Sequence, residues 1–208
     1  IDVHTHDDRL LLGTPHGPHP TLTQGVTTVV VGNCGISASP VRLPGDQVPD
    51  PMNLLGRVED FRYPAFSTYA ESVELARPST NVAALIGHTA LRANFMDRFD
   101  RPASADEIQR MRIALRQALA DGAIGLSSGL AYINARQAPE AEMRALVEEV
   151  GAAGGIYTTH LRDEFAGLLD AMDEAVATAR HGDAPLVISH LKCAGVGNWG
   201  TAPLALEK

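Results

Sequence analysis

Residues 26–32 read Val-Thr-Thr-Val-Val-Val-Gly, and this run decides the fold class. It is short, β-branched and apolar on both faces, which is typical of a strand buried inside a parallel sheet. Five other runs have the same character, and longer segments with helical spacing separate them. This alternation predicts an α/β fold with a parallel sheet and outer helices. The predicted strands are residues 1–6, 26–32, 81–87, 123–127, 156–160 and 185–190.

Residues typical of helix ends mark the boundaries of three of the intervening helices. Ser104 and Glu107 form a capping box at the start of one helix, which ends at Gly122. Pro139 predicts the start of the next helix at a first-turn position, and a third helix is predicted over 165–181. Such a βα series can close as a doubly wound sheet or as an eight-stranded (β/α)8 TIM-type barrel. A barrel needs about 250 residues, so six strands would be three-quarters of one.

Composition limits the function classes. The chain has 208 residues, of which 45% are hydrophobic, enough for one main domain. Its net charge of -8 is spread along the sequence, which argues against nucleic acid and anionic membranes as partners. No apolar run approaches the roughly 18 residues of a membrane-spanning helix. Two cysteines make a disulfide framework improbable and favour a reducing, cytoplasmic compartment. The sequence makes no prediction about oligomeric state.

Two further expectations concern segments rather than motifs. The chain opens at Ile1 inside an apolar stretch and stops at Lys208 soon after a strand-like run, so we expect a piece of a longer gene product. Residues 40–65 contain several prolines and scattered polar groups, and we expect a long loop there.

The positions of the histidines carry the chemistry. His4 and His6 alternate with other residues on the first predicted strand, so both imidazoles should share one face. His160 and His190 each end a predicted strand, and Cys34 lies just beyond another. The carboxyl ends of parallel strands meet at one edge, where barrel enzymes build their sites. Imidazole and thiolate together suit Zn²⁺. The sequence therefore predicts a metal site made from these five residues.

Each of these residues could also have a purely structural role that involves no metal ion. A single histidine at a strand end is more often a hydrogen-bonded core residue than a ligand, but several at matching positions favour a metal. Cys34 could be a small buried hydrophobe. His16 and His19, in a Gly/Pro loop, should be solvated, and His181 should favour the end of its helix. His88 ends the third predicted strand and is a candidate for contacting substrate.

A bound Zn²⁺ would make a water ionisable near neutral pH and polarise a carbonyl. A carboxylate must still carry a proton from the water to the leaving group. Asp7, Asp8, Asp163 and Glu164 are near the relevant loops, but none is at the end of a strand. We therefore expect no catalytic acid/base within this chain.

Six segments of the sequence form a recognisable series: IDVHTHDD (1–8), QGVTTVVVGNCG (24–35), GHTALR (87–92), GLSSGLAY (125–132), THLRDE (159–164) and SHLK (189–192). They resemble the D-aminoacylase branch of the amidohydrolase superfamily, the N-acyl-D-amino-acid deacylases. The resemblance covers nearly the whole chain in order. The His-x-His pair marks only the superfamily, whereas the Asn-Cys-Gly segment is more specific.

The resemblance implies a particular set of ligands. Cys34 would hold one Zn²⁺ tightly together with His160 and His190. His4 and His6 would form a second, weaker site with an aspartate from an eighth strand. That aspartate would also be the general acid/base, and it lies beyond this sequence.

Other implications concern the strand ends and the substrate. Most binuclear amidohydrolases carry a carboxylated lysine at the end of strand four, but here that strand ends in Ser127 and Ser128. Lys192 and Tyr132 are candidates for binding the substrate carboxylate, although Tyr132 could equally be a loop-packing aromatic. The family also has a small β-sandwich, which we expect to lie outside residues 1–208 together with the last strands of the barrel.

The implied function is metal-dependent hydrolysis of N-acyl-D-amino acids. Two alternatives remain: a cyclic amidohydrolase of the hydantoinase or dihydroorotase kind, and a truncated barrel that binds metal without turnover. This fragment alone should be inactive. A doubly wound phosphate-binding domain fits less well, because no GxGxxG follows the first predicted strand.

Overall fold

The centre of the fold is a parallel sheet of five strands, β1 (Thr28–Val31), β4 (Asn81–Gly87), β5 (Gly125–Gly129), β6 (Ile156–His160) and β7 (Leu186–Ile188). This computed structural model describes residues 1–13, 20–43 and 45–208, so the predictions for His16 and His19 lie outside the described residues. The order of strands in the sheet, β1-β4-β5-β6-β7, follows the chain. A doubly wound sheet needs a reversal of strand order, so this order favours the barrel.

The first predicted strand is much shorter than expected. Asp2 forms a single parallel bridge to Val29, and the chain then bends. The Asp2 carboxylate accepts a hydrogen bond from the His4 amide at 3.1 Å, and such local bonds compete with a strand ladder. The Thr5 amide still donates to a carbonyl of β1 at 3.0 Å. The segment therefore follows the edge of β1 and carries His4 and His6 along it.

The other predicted strands are present, with ends shifted by at most two residues. The predicted capping box is also present: the Ser104 hydroxyl accepts from the Glu107 amide at 3.3 Å, and the Ser104 amide donates to the Glu107 carboxylate at 2.7 Å. Pro139 is the N-cap residue immediately before its helix and not the first-turn residue that the sequence predicts. The helix predicted from residue 165 begins three residues later. The helices are α1 (Phe66–Ala76), α2 (His88–Phe95), α3 (Ala105–Ala120), α4 (Glu140–Ala152), α5 (Leu168–His181) and α6 (Ala202–Glu207).

The segment 40–65 is not the plain loop that we expected. Its ends pair as a short antiparallel ladder of β2 (Val41–Arg42) and β3 (Arg62–Tyr63). Apolar residues of this segment pack against α2 in a small separate hydrophobic core. This packing explains why the segment has a defined structure instead of being an open loop. The buried members of this core are Ile36, Val41, Met52, Leu55, Phe61, Ala90 and Ala93.

The main hydrophobic core lies between the sheet and helices α1, α3 and α4. Among the described residues, no helix is both long enough and apolar enough to cross a membrane. Short 3-10 helices complete the connections, at Leu10–Leu12, Leu22–Gln24, Met52–Leu54, Val58–Asp60 and Val196–Thr201.

Candidate metal centre

Three side chains from distant parts of the chain meet beyond the carboxyl end of the sheet. The Sγ atom of Cys34 lies 3.2 Å from Nε2 of His4 and 3.4 Å from Nε2 of His190. All three donor atoms lie within 4.8 Å of one another, so a single metal ion could contact all of them. The structure thus brings together three of the five predicted ligands.

A second group of donor atoms shares His190. The ring centroids of His160 and His190 are 4.5 Å apart. Glu164 bridges them, with its Oε2 atom 3.3 Å from Nε2 of His160 and its Oε1 atom 3.1 Å from Nδ1 of His190. His160, Glu164 and His190 also form a set that could hold a metal ion.

Glu164 is a poor candidate by its place in the sequence, because it does not end a strand. The residue lies four positions after His160, in the connection from β6 to α5. Its carboxylate is nevertheless 8% exposed and points back at the cluster. The only signal in the sequence is its closeness to a strand-ending histidine, which cannot reveal the direction in which the connection folds.

His6 lies beside the cluster rather than in either set of three donors. Its ring centroid is 5.5 Å from that of His4, in an edge-to-face arrangement. Its Nδ1 atom is buried and finds no hydrogen-bond partner among the described residues. A buried nitrogen without a partner is costly unless another group binds it. This orphaned atom is consistent with a ligand for a cation.

The protonation of the cluster suits metal binding. Burial, together with the neighbouring histidines, lowers the pKa of His4 to about 4. Burial also lowers the pKa of His160 to about 4, although Glu164 acts in the opposite direction. Both imidazoles are therefore neutral at pH 7 and offer a lone pair, as metal ligation requires.

Cys34 is held in an uncommon conformation. Its φ angle is 53°, and its side chain is 3% exposed. Burial raises the pKa of its thiol to about 11, and a hydrogen bond with Tyr132 and the charge of Lys192 offset only part of this effect. A thiol in this environment would ionise at neutral pH only beside a strong positive charge, which a bound metal ion supplies.

The two predicted substrate-binding residues Tyr132 and Lys192 adjoin the cluster. The Tyr132 hydroxyl lies 3.2 Å from Nδ1 of His160. The Lys192 ammonium lies 3.1 Å from Nδ1 of His190 and forms an ion pair with Glu164. A cavity of about 200 Å³ adjoins His160 and Glu164. Larger cavities of about 420 and 400 Å³ lie beside α5 and beneath α1, and neither is lined by a histidine or cysteine.

The structure does not bring His88 to this cluster. β4 ends at Gly87 and α2 begins at His88, so the side chain enters the helical layer. There it is fully buried, with Nε2 2.8 Å from the carboxylate of Glu142 on α4. Arg92 makes two further bonds to Glu142, at 2.7 and 2.8 Å. The expectation of a substrate contact at His88 is therefore not supported by its position. His181, as expected, ends its helix, where it pairs with Glu148.

The whole chain, residues 1–208, matches the model of the amidohydrolase family (Amidohydro_3). The chain belongs to the amidohydrolase family. It is 43% identical over 208 residues to an N-acyl-D-aspartate deacylase of Alcaligenes xylosoxydans xylosoxydans, covering 100% of this chain and 41% of that protein. A D-aminoacylase of the same organism is 40% identical over 200 residues, with 96% and 41% covered. The amidohydrolase chain thus spans about two-fifths of the length of these relatives.

Solved structures confirm the partial barrel and the resemblance to the D-aminoacylase branch. The crystal structure of a D-aminoacylase, described as defining a novel subset of amidohydrolases, matches with a TM-score of 0.93 and 41% identity. The match covers 99% of this chain and 43% of that one. An N-acyl-D-glutamate deacylase of Bordetella bronchiseptica, complexed with zinc and a phosphonate inhibitor, matches with a TM-score of 0.90 and 37% identity over 99% and 43% of the two chains.

The residues present in this amidohydrolase fit a first-row metal ion. The cluster combines a thiol, neutral imidazoles and a carboxylate, which is a donor set typical of Zn²⁺. The orphaned Nδ1 atom of His6 adds a further nitrogen next to it.

Proposed function

We propose that this amidohydrolase hydrolyses the amide bond of N-acyl-D-amino acids, releasing a carboxylate and a D-amino acid, in a metal-dependent reaction. The observation that carries the proposal is the convergence of His4, Cys34 and His190 within 4.8 Å. The named relatives support the substrate class, because an N-acyl-D-aspartate deacylase, a D-aminoacylase and an N-acyl-D-glutamate deacylase are 39–43% identical to this chain.

We assign a tight Zn²⁺ site to Cys34, His160 and His190, and a second, weaker site to His4 and His6. Such an ion supplies a Lewis acid for the amide carbonyl and a water of lowered pKa. The 3.4 Å contact of Cys34 with His190 and the close rings of His160 and His190 support the first site. The contact of His4 with the same sulfur supports a second site that adjoins it.

The remaining polar groups have supporting roles in this proposal. Glu164 accepts hydrogen bonds that orient the rings of His160 and His190, a function that carboxylates commonly serve behind histidine ligands. Lys192 and Tyr132 present an ammonium and a hydroxyl next to the cluster, and we assign both to the carboxylate of the substrate.

Hydrolysis breaks the C–N bond, adds the oxygen of water to the acyl carbon and delivers a proton to the leaving amine. A carboxylate must move that proton. The family resemblance implies an aspartate from an eighth strand, and we assign the role to no residue of this chain. Glu164 is an unsuitable candidate because two histidines and Lys192 already occupy its oxygens.

The test uses the full-length protein loaded with zinc and a panel of N-acetyl-amino acids in both configurations. We expect hydrolysis of D substrates, little hydrolysis of L substrates, and loss of turnover after chelation. Equal rates for the two enantiomers would contradict the stereochemical assignment. Turnover of dihydroorotate or a hydantoin alone would favour a cyclic amidohydrolase, and metal binding without turnover would favour the non-catalytic alternative.

A further inference from the structure

The turn that carries Cys34 has an unusual backbone. Three of its four residues have positive φ angles: 77° at Gly32, 53° at Cys34 and 78° at Gly35. Glycine adopts such angles freely, but a residue with a side chain does so only when its surroundings impose them. The direction of the Cys34 side chain therefore depends on what holds the two ends of this turn.

Ser127 on β5 contacts both ends of the turn. Its hydroxyl accepts a hydrogen bond from the Gly35 amide at 2.9 Å and donates one to the Gly32 carbonyl at 2.5 Å. The side chain is fully buried. One hydroxyl thus ties together the residues that flank Asn33 and Cys34.

The turn also lies directly on the ends of two strands. A Cβ atom at Gly87 would be 2.5 Å from the Gly35 carbonyl oxygen, and one at Gly129 would be 2.3 Å from the Cys34 carbonyl oxygen. This close backbone-to-backbone packing holds the turn against the ends of β4 and β5. Without the Ser127 hydroxyl, the Gly32 and Gly35 groups would lose their partner.

A second anchor holds the turn from the other side. The fully buried carboxylate of Asp8 accepts from the amides of Gly32 and Ala38, at 3.2 and 3.1 Å. Asp8 fixes the entry to the turn and the chain beyond it. Ser127 instead closes the turn itself, from Gly32 to Gly35.

We propose that Ser127 is a positioning residue for the Cys34 thiolate, which aims the sulfur at His4 and His190. The proposal rests on the metal site assigned above. Removing the hydroxyl releases Gly35 and Gly32, so that the turn can leave its left-handed conformation and the sulfur can move away from the imidazoles.

The chain provides a matched control in the next residue. Ser128 is also fully buried on β5, but its hydroxyl bonds to the hydroxyls of Tyr157 and Thr159, both at 2.8 Å. Ser127→Ala and Ser128→Ala therefore each remove one buried hydroxyl with two partners. Only Ser127→Ala affects the turn that bears Cys34.

The experiment uses the metal-free full-length protein and titrates it with Co²⁺ and with Zn²⁺. Ser127→Ala should weaken metal binding by about 10–100-fold, the usual cost of losing a group that supports a ligand, and should diminish the cobalt–thiolate absorption band. Ser128→Ala should keep the wild-type affinity and band even if its thermal stability falls. Equal affinities and bands in the two variants would overturn the proposal.

Results that contradict the assigned metal site can be distinguished from results that contradict only the role of Ser127. A wild-type protein without a cobalt–thiolate band, or one whose band survives Cys34→Ala, would contradict the proposed function itself. If Ser127→Ala does not fold, Ser127→Cys keeps a side chain of the same shape with a somewhat larger sulfur atom, and its thiol weakens both hydrogen bonds. Reduced zinc affinity of that variant would support the role of Ser127, and wild-type affinity would overturn it.

Discussion

Two regions of this amidohydrolase contain buried histidines, and they differ in what surrounds each ring. His88 lies next to the carboxylate of Glu142, which also receives two hydrogen bonds from Arg92. The carboxylate and the guanidinium compensate each other's charge, although the Nδ1 atom of His88 is itself buried and finds no hydrogen-bond partner among the described residues. Burial alone would raise the pKa of Glu142, but His88 and Arg92 outweigh this effect and hold the pKa at about 2.

The cluster at the carboxyl end of the sheet has the opposite character. The sulfur of Cys34 contacts imidazole nitrogens of His4 and His190, and all three atoms are potential lone-pair donors. Such atoms bind one another weakly but share a cation well. The comparison teaches that the partner of a buried histidine, rather than its burial, separates a structural residue from a metal ligand.

The largest expected effect is that of Cys34→Ala. The variant should lose the tight metal ion and nearly all activity, because the cluster loses its thiolate. Elemental analysis of the purified full-length protein, together with deacylase assays, measures both. Unchanged metal content would contradict the assignment of the sulfur as a ligand.

Arg92→Met should have a large effect on stability and none on metal binding. It leaves Glu142 buried with fewer partners, and breaking a buried pair in this way costs about 3–5 kcal/mol of folding free energy. Denaturant unfolding of the full-length protein measures the change. Arg98→Met is the matched control, because Arg98 pairs with Asp100 on the surface and its loss should change little. A folded Arg92→Met variant with reduced zinc affinity would contradict the conclusion that the His88 group is structural and independent of the metal site.

Glu164→Gln should weaken zinc binding by about 10–100-fold while the protein stays folded, because the amide supports the two histidines less well than the carboxylate does. The measurement is a competition titration with a zinc chelator. Glu148→Gln tests specificity, since Glu148 also pairs with a histidine, His181, but on the surface. Similar zinc affinities in both variants would argue against a role for Glu164.

The smallest effect is a pH dependence in the His88 group. The pKa of Glu142 is lowered from an ordinary 4.5 to about 2, so its ionised form stabilises the fold. That contribution is fully present above pH 4.5 and declines as the pH falls towards 2. The stability advantage of the wild type over Glu142→Gln should therefore shrink across this interval. An advantage that stays constant down to pH 2 would show that the carboxylate is not held ionised.

Much of the arrangement follows from the order of residues along the chain. The βα alternation predicts the parallel sheet, and the ends of β6 and β7 predict that His160 and His190 approach each other. This prediction holds because the carboxyl ends of parallel strands meet at one edge whatever the connections do. The approach of Cys34 follows from the same rule.

The failures have local causes. The bond from Asp2 to the His4 amide diverts the first predicted strand, and no periodicity reveals it. His88 resembles a strand-ending residue, but the helix begins there and turns the side chain towards α4. Glu164 does not end a strand, and the fold of its connection cannot be deduced from its position.

The sequence by itself determined the alternation of strands and helices and the residue types at the strand ends, since these depend on periodicity and strand direction. The order of the strands, which separates a barrel from a doubly wound sheet, came from the tertiary structure. Only the tertiary structure decided which polar side chains face that edge and which turn inward. Glu164, Ser127 and His88 are all close to strand ends in the sequence. Their directions depend on the packing of connections against neighbouring strands and helices, which involves contacts between residues far apart in the chain.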